Sequence, residues 1–169
     1  MTKVKMTEPK IDQRKDQPYM GIRTRVPIAE LPKVIPETLN EVFSWLRKHD
    51  IASVGAPFIR YHVINMDALM DIEMGVPVAM AAAGDERVKA AVLAAGRYAV
   101  LTYTGVMNGI EANAALLDWG AKQGLVWDRW EVESGDAFAS RYESFLTDPE
   151  DDPDPAQWDT EVAIRIADK

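Results

Sequence analysis

One carboxylate in this sequence, Glu143, stands among aromatic residues in the run Arg141-Tyr142-Glu143-Ser144-Phe145. A carboxylate in such surroundings can hold a cation, or it can activate water when burial raises its pKa. Strict alternation along a strand would place Arg141, Glu143 and Phe145 on one face. The local residue types also describe a glutamate on a solvated sheet face, and taken alone they favour that simpler interpretation.

A second ionisable set lies earlier in the chain, because the Arg-Tyr pair before Glu143 recurs immediately before His62. An Asp-x-Glu pattern ending at Glu73 likewise recurs at Glu161. The repeat aligns Glu143 with His62 and Glu73 with Glu161, and it predicts that all four side chains share one face. Glu143 and Glu73 are then candidate catalytic carboxylates, and His62 is a candidate general base. A strand histidine with a local partner is the simpler interpretation of His62.

Large aromatic residues are frequent, with five tryptophans and five tyrosines. We expect most of them to fill the core and some, including Tyr103, to line a pocket for a flat or cationic ligand. Each cation–π contact of that kind contributes roughly 0.5–2 kcal/mol. The residues are Trp45, Trp119, Trp127, Trp130, Trp158, Tyr19, Tyr61, Tyr98, Tyr103 and Tyr142.

Other familiar kinds of site are not supported by the residues present. The chain has no cysteine and two histidines, so disulfides, thiolate chemistry and a zinc centre are not expected. The acidic residues 148–154 lack the spacing and the central glycine of a calcium-binding loop. Residues 105–109 lack the Lys-Ser/Thr pair of a phosphate-binding loop. We therefore expect no metal and no cofactor.

The elements that position these residues follow from periodicity and turn residues. One helix is predicted from Pro32 or Pro36 to His49, and a second over residues 108–123. Apolar and polar residues alternate in 68–79, which is typical of an antiparallel sheet covered on one side. Extended segments are predicted at 9–26 with a break at 17–18, and at 58–65, 68–79, 88–94, 98–104, 127–132, 138–146 and 158–166.

The two halves of the chain follow the same plan. Tyr19 precedes the first helix as Tyr98 precedes the second, and Trp45 and Trp119 occupy matching positions on the helices. With the two strand repeats, four matches occur in the same order. We therefore predict an α+β fold of duplicated β-α-β-β units with pseudo-two-fold symmetry, antiparallel sheets, two helices and a central ligand groove.

Length and composition fit one acidic globular domain. The 169 residues carry 27 acidic and 19 basic side chains, a net charge of -8, which is not the footprint of a nucleic-acid binder. We expect residues 1–8 to form a flexible tail and residues 9–169 a single domain. No signal peptide and no run of roughly 20 apolar residues is recognisable, so we expect a cytoplasmic protein without membrane contact.

Five segments in fixed order carry a resemblance to a known family: residues 57–62, 71–78, 96–105, 142–149 and 158–164. In that order they resemble the gyrase-inhibitor-like (GyrI-like) small-molecule-binding domain, also known as the effector-binding domain of bacterial transcription activators. The resemblance covers residues 9–167. It implies a duplicated strand-helix-strand-strand fold with a central groove.

The resemblance also implies roles for individual residues. In family members that bind drugs, a glutamate on the penultimate strand meets cationic ligands, and this role corresponds to Glu143. Aromatic contacts correspond to Trp119, Trp158 and Tyr61. Strict alternation puts Tyr61 on the face opposite His62, so a shared pocket requires a bulged strand or a groove that reaches between sheet and helices.

Three functions stay open. The leading hypothesis is a stand-alone binding protein for hydrophobic small molecules, often cationic or aromatic. The second is a hydrolase, because some stand-alone relatives look like hydrolases of reactive, cyclopropane-bearing toxins, with Glu143 or Glu73 activating water. The third is a role with a protein partner, such as gyrase inhibition. Relatives that activate transcription carry a helix-turn-helix module before this domain, and about eight residues precede the first strand here, so we expect no direct DNA binding.

Overall fold

The computed structural model describes residues 4–168, which form an α+β fold. Within those residues there are two α-helices, α1 (Leu31–Lys48) and α2 (Gly109–Lys122), both close to their predicted bounds. Ten strands of the same described range form one antiparallel sheet. They are β1 (Lys10–Arg14), β2 (Gln17–Pro27), β3 (Phe58–Ile64), β4 (Leu69–Pro77), β5 (Lys89–Leu93), β6 (Gly96–Thr104), β7 (Arg129–Val132), β8 (Gly135–Phe138), β9 (Arg141–Phe145) and β10 (Asp159–Arg165).

The strand order shows the internal duplication directly. The sheet runs β1-β6-β10-β9-β3-β4-β2-β5, and the β7–β8 hairpin joins β3 beside this path. Strands β2, β3 and β4 of the first half correspond to β6, β9 and β10 of the second, and the halves meet where β3 pairs with β9. Each half also lends a strand to the other, because β1 pairs with β6 and β5 pairs with β2. The predicted fold class is confirmed.

Strand pairing supports two of the predicted sequence matches. In the β2–β4 pair, Glu73 lies opposite Arg23, which is four positions after Tyr19. In the β6–β10 pair, Glu161 lies opposite Thr102, which is four positions after Tyr98. The two tyrosines and the two glutamates are therefore equivalent in the two halves at the same time.

The Arg-Tyr match has a different outcome. Arg60 lies opposite Glu73, whereas the residue opposite Glu161 is Ser144, three positions beyond Arg141. An odd offset exchanges the two faces of a strand, because successive side chains point to opposite sides. Arg60 and Arg141 therefore lie on opposite faces of the sheet, and the alignment of these two residues was wrong.

Both helices cover the same face of the sheet. Helix α1 packs on β2 and β4, and helix α2 packs on β6. Pro36 lies inside α1, which begins earlier, at Leu31. No helix within residues 4–168 combines the length and apolar character needed to cross a membrane. The buried apolar residues of α1 follow the spacing of an amphipathic helix and are Leu39, Val42, Trp45 and Leu46.

The opposite face of the sheet is buried as well, so the expectation of a sheet covered on one side was wrong. The sheet curls into a half-barrel, and its concave face encloses an aromatic cluster that includes Tyr19, Phe58 and Tyr142. The ring centroids of Tyr19 and Phe58 are 4.9 Å apart, and those of Phe58 and Tyr142 are 5.6 Å apart. Glu73, which alternation placed on the uncovered face, is only 6% exposed.

Residues before β1 follow the edge of β6. The Thr7 N–H donates to the carbonyl of Thr102 at 2.8 Å, and the Thr104 N–H donates to the carbonyl of Lys5 at 3.0 Å. This part of the expected flexible tail is thus hydrogen-bonded to the sheet. Residues 1–3 of the same expectation lie outside the described residues.

Candidate functional site

The helix-covered face has a strip along its middle that lies between the two helices. Helix α1 packs on β2 and β4 and helix α2 on β6, which leaves the central pair β3 and β9 between them. Tyr61, Ile64 and Phe145 on these strands are half-buried. Ile64 packs against the apolar clusters beneath both helices. We call this strip, with the buried Glu143 beneath it, the midline groove. Of two cavities found among the described residues, one is lined by Arg14, Gln17, Leu93, Tyr98 and Tyr142 and the other by Ile64, Asn65, Gly135 and Asp136, so neither is lined by Glu143.

Glu143 is a buried carboxylate that is 8% exposed. Its Oε1 accepts a hydrogen bond from the Tyr103 hydroxyl at 3.0 Å, and it also interacts with Tyr61 and Asn113. Burial raises the pKa of Glu143 above its ordinary value, and the hydrogen bonds from Tyr103 and Tyr61 offset this shift only in part. Burial and the neighbouring carboxylate also raise the pKa of both tyrosines, so their hydroxyls stay protonated and act as donors.

Arg141 lies beside Glu143 on β9 and is 9% exposed. Its Nη2 donates to Asn113 Oδ1 at 2.9 Å, and its guanidinium lies 4.7 Å from the ring centroid of Phe138. Burial lowers the pKa of Arg141, although the charge of Glu143 works in the opposite direction. Its Nε is buried without a hydrogen-bond partner among the residues that the structure describes. The groove therefore has a carboxyl group and a guanidinium side by side.

A second polar cluster is centred on Glu73, on the concave face. Its Oε1 accepts from the Tyr19 hydroxyl at 2.5 Å and lies 2.8 Å from His62 Nε2. Arg60 Nη1 donates to the same tyrosine hydroxyl at 2.9 Å. Burial disfavours the charged form of Glu73, but the hydrogen bonds from His62 and Tyr19 outweigh it and hold the pKa of Glu73 below its ordinary value.

The two clusters can do different chemistry. Around Glu73 the positive and hydrogen-bonding partners are already in place, so its charge is balanced within the protein. The neighbours of Glu143 compensate a negative charge there less fully, so an incoming cation would favour its ionised form. A buried carboxyl group with a raised pKa beside tyrosine hydroxyls is also an arrangement found at acid–base sites.

Comparison with known proteins decides the family. The GyrI-like small-molecule-binding domain matches residues 7–167. The chain belongs to this family. No curated protein sequence matches it.

Solved structures share the fold of this GyrI-like domain. The C-terminal domain of EcmrR has a TM-score of 0.72 and 17% identity, over 96% of this chain and 98% of that one. EcmrR in its DNA complex has a TM-score of 0.74 and 18% identity over 96% of this chain. The match spans only 58% of the longer EcmrR chain. SAV2435 bound to tetraphenylphosphonium has a TM-score of 0.60 and 12% identity, over 95% of this chain and 94% of that one. A hydrolase from Listeria innocua has a TM-score of 0.65 and 11% identity, over 95% of this chain and 92% of that one.

The structure divides the residues that the sequence assigned to one site. Tyr103, Tyr61 and Glu143 come together at the midline groove of the GyrI-like domain. Glu73 and His62 lie together on the opposite face. The expectation that all four ionisable residues share a face was wrong, because Glu143 pairs with Val162 and Glu73 with Arg60, which lie on opposite sides of the sheet. Glu161 is also on the concave side, where it accepts from Arg14 at 2.7 Å.

Strand alternation explains why Tyr61 and His62 serve different clusters, because successive side chains of β3 point to opposite faces. The pairing of β3 with β4 shifts between Tyr61 and Val63, so His62 is the extra residue. A bulge of this kind redirects side chains without ending the strand. Because the bulge begins only at His62, both residues keep their alternating directions: Tyr61 faces Glu143, and His62 faces Glu73.

The two tryptophans assigned by resemblance are half-buried. Trp119 packs against the apolar cluster beneath α2. Trp158, just before β10, donates its indole N–H to the Asp152 carbonyl at 2.6 Å. The Trp158 carbonyl in turn accepts from the Gly105 N–H at 2.8 Å, so Trp158 links the acidic loop 148–154 to the segment before α2.

Sequence reasoning gave no site role to Asn113 or Arg141. Asn113 lies on the same side of α2 as the buried residues Leu116 and Gly120, at helical spacing. A polar residue on the inward side of a helix is a signal that could have identified it. Arg141 carried a signal only through its position two residues before Glu143, because burial of an arginine is not readable from a strand pattern.

Proposed function

We propose that this GyrI-like domain binds an organic cation with aromatic or apolar groups in the midline groove, with Glu143 as the anchor. The observation that carries the proposal is the burial of Glu143 with a raised pKa, between two tyrosine hydroxyls and beside Arg141. A carboxyl group placed in this way gains most from a ligand that brings positive charge.

The surroundings of Glu143 suit the rest of such a ligand. The half-buried rings of Tyr61 and Phe145 on the groove floor offer faces for stacking, each worth roughly 0.5–2 kcal/mol to a cation. The Tyr103 hydroxyl at 3.0 Å orients the carboxylate. Acidic residues exceed basic ones, with a net charge of -8, which favours the approach of cations over anions.

A structural relative supports the choice of ligand class. SAV2435, which shares the fold, is bound to tetraphenylphosphonium, a bulky aromatic cation. At 12% identity this likeness concerns the fold, so tetraphenylphosphonium enters here as a probe. Within the proposal the domain makes no direct DNA contact, in line with its acidic charge. A cytoplasmic location is part of the proposal too, in line with a chain without cysteine.

Calorimetric titration with tetraphenylphosphonium tests the proposal. Replacement of Glu143 by glutamine keeps the size of the side chain and removes its charge, so we expect affinity to fall roughly tenfold or more. Glu111→Gln is the matched control, since Glu111 is an exposed carboxylate in the first turn of α2. Equal affinity of Glu143→Gln and the parent would remove the anchor role.

Hydrolysis is a second candidate function, favoured by the raised pKa of Glu143 next to the hydroxyls of Tyr61 and Tyr103. In that role the carboxylate would take a proton from water as the water oxygen bonds to a ring carbon. The strained carbon–carbon bond would break, and a tyrosine would protonate the atom that receives its electron pair. Mass spectrometry of a cyclopropane-bearing electrophile incubated with the protein tests it. Turnover that is lost in Glu143→Gln and kept in Glu111→Gln supports hydrolysis, and absence of turnover in the parent leaves binding as the function.

A further inference from the structure

The guanidinium of Arg141 has one donor that the protein does not use. Among residues 4–168, two buried side-chain nitrogens have no hydrogen-bond partner, and they are Arg60 Nε and Arg141 Nε. Arg60 is half-buried, whereas Arg141 is 9% exposed and lies beside Glu143. Buried charged donors are normally hydrogen-bonded, so an unused one next to a candidate binding site indicates a partner outside the chain.

The other contacts of Arg141 fix its orientation. Nη2 donates to Asn113 Oδ1 at 2.9 Å, and the Asn113 amide in turn donates to the Gly109 carbonyl at 2.8 Å. The ring of Phe138 lies against the guanidinium at 4.7 Å. Because the fork of an arginine is planar and rigid, these contacts also set the direction of the Nε–H bond.

Arg141 and Glu143 are two positions apart on β9, so both side chains rise from the same face of the strand. One molecule on that face can therefore bring a cation to Glu143 and an acceptor to Arg141 Nε. The positive charge of Arg141 also disfavours any cation that offers it no acceptor.

We propose that the midline groove selects cations that also carry a hydrogen-bond acceptor, such as a carbonyl oxygen, and that Arg141 is the residue that makes this selection. The inference rests on the proposed function and names the ligand class of that same site. Glu143 supplies the charge attraction common to all cationic ligands. Arg141 distinguishes among them.

This role predicts opposite effects on two ligand types when Arg141 is replaced. Arg141→Met removes the donor and the positive charge while keeping an unbranched side chain. A cation without an acceptor should then bind as well as before or more tightly, because a repulsive charge is gone. A cation with an acceptor should bind more weakly, because its hydrogen bond is lost.

Two phosphonium ions of equal chain length provide the test. One is (4-ethoxy-4-oxobutyl)triphenylphosphonium, which carries an ester carbonyl, and the other is n-heptyltriphenylphosphonium, which carries no acceptor. The quantity measured by calorimetry is the ratio of their two dissociation constants. We expect Arg141→Met to reduce the preference for the ester roughly tenfold relative to the parent.

A second variant keeps the test decisive where Arg141→Met fails to fold. Arg141→Lys retains the positive charge and removes the Nε donor, so the preference for the ester should fall in this variant too. An unchanged ratio in the folded variant, or equal weakening of both ions, would overturn the inference and would mean that Arg141 is structural and that water satisfies its Nε.

The outcome for Glu143 separates this inference from the proposed function. Glu143→Gln should weaken both phosphonium ions by similar factors and leave their ratio unchanged. If the parent binds neither ion, the proposed function fails and the inference fails with it. If Glu143→Gln weakens both ions while the Arg141 variants keep the parent ratio, the proposed function stands and the inference fails alone.

Discussion

Glu73 and Glu143 are both buried carboxylates of one sheet, yet they lie on opposite faces and their pKa values move in opposite directions. The pKa of Glu73 is lowered because hydrogen bonds from His62 and Tyr19 outweigh burial. The pKa of Glu143 is raised because burial outweighs the hydrogen bonds from Tyr103 and Tyr61. Glu73 is thus satisfied within the fold, and Glu143 is the one that we propose as the ligand anchor.

The raised pKa of Glu143 predicts the direction in which stability depends on pH. A group whose pKa is higher in the folded state stabilises fully below its ordinary value of 4.5, and this contribution is lost as pH rises through the folded pKa. The parent should therefore lose stability relative to Glu143→Gln as pH rises from 4.5 through the folded pKa of Glu143. Urea unfolding of both proteins across this range measures the difference, and a difference that does not vary with pH would contradict the prediction.

The lowered pKa of Glu73 predicts the opposite dependence of stability on pH. A group whose pKa is lower in the folded state stabilises above its ordinary value of 4.5, and the contribution is lost as pH falls through the folded pKa. The parent should be more stable than Glu73→Gln at neutral pH, by about 1–3 kcal/mol, and this advantage should shrink in acid. The same unfolding series measures it, and an advantage that grows in acid would show that the hydrogen bonds from His62 and Tyr19 do not act as described.

Cation binding should itself depend on pH through Glu143. Since a cation favours the ionised carboxylate, affinity for tetraphenylphosphonium should rise as pH rises toward the folded pKa of Glu143, by at most about tenfold per pH unit. Binding should also release protons. Calorimetry in two buffers with different ionisation enthalpies detects that release, and Glu143→Gln should show neither effect. Affinity that is independent of pH in the parent would contradict a raised pKa of Glu143 in the free protein.

Gly120 predicts a packing effect inside α2. Alanine normally stabilises a helix interior over glycine by about 1 kcal/mol, but a Cβ at Gly120 would overlap the indole of Trp127. We therefore expect Gly120→Ala to destabilise the domain by about 1–3 kcal/mol. Repeating the substitution in a Trp127→Leu background should remove most of that cost. Stabilisation by Gly120→Ala in the parent background would show that the indole is free to move.

The duplicated architecture could be predicted from the sequence because each half repeats local signals. Tyr19 and Tyr98, and Glu73 and Glu161, occupy equivalent positions, and a repeat of this kind survives changes in loop length. The helices were readable from apolar periodicity. The exchange of β1 and β5 between the halves was not, since strand partners depend on contacts distant in sequence.

The grouping of the site residues was harder to predict, for local reasons. Alternation along β3 puts Tyr61 and His62 on opposite faces, so only one of the two can lie with Glu143. The Arg-Tyr repeat suggested equivalence where strand pairing has an offset of three residues. Glu73 was expected at the ligand site with Glu143. It lies instead on the buried concave face, where Tyr19 and His62 are its partners.

We propose that Glu143, and not Glu73, is the anchor for a cation. Calorimetric titration of tetraphenylphosphonium into the parent, Glu143→Gln and Glu73→Gln tests it most directly, with thermal melting as the check that each variant is folded. We expect Glu143→Gln to lose roughly tenfold or more in affinity, while folded Glu73→Gln keeps the parent value. Parent-like affinity in Glu143→Gln, or an equal loss in both variants, would contradict the claim.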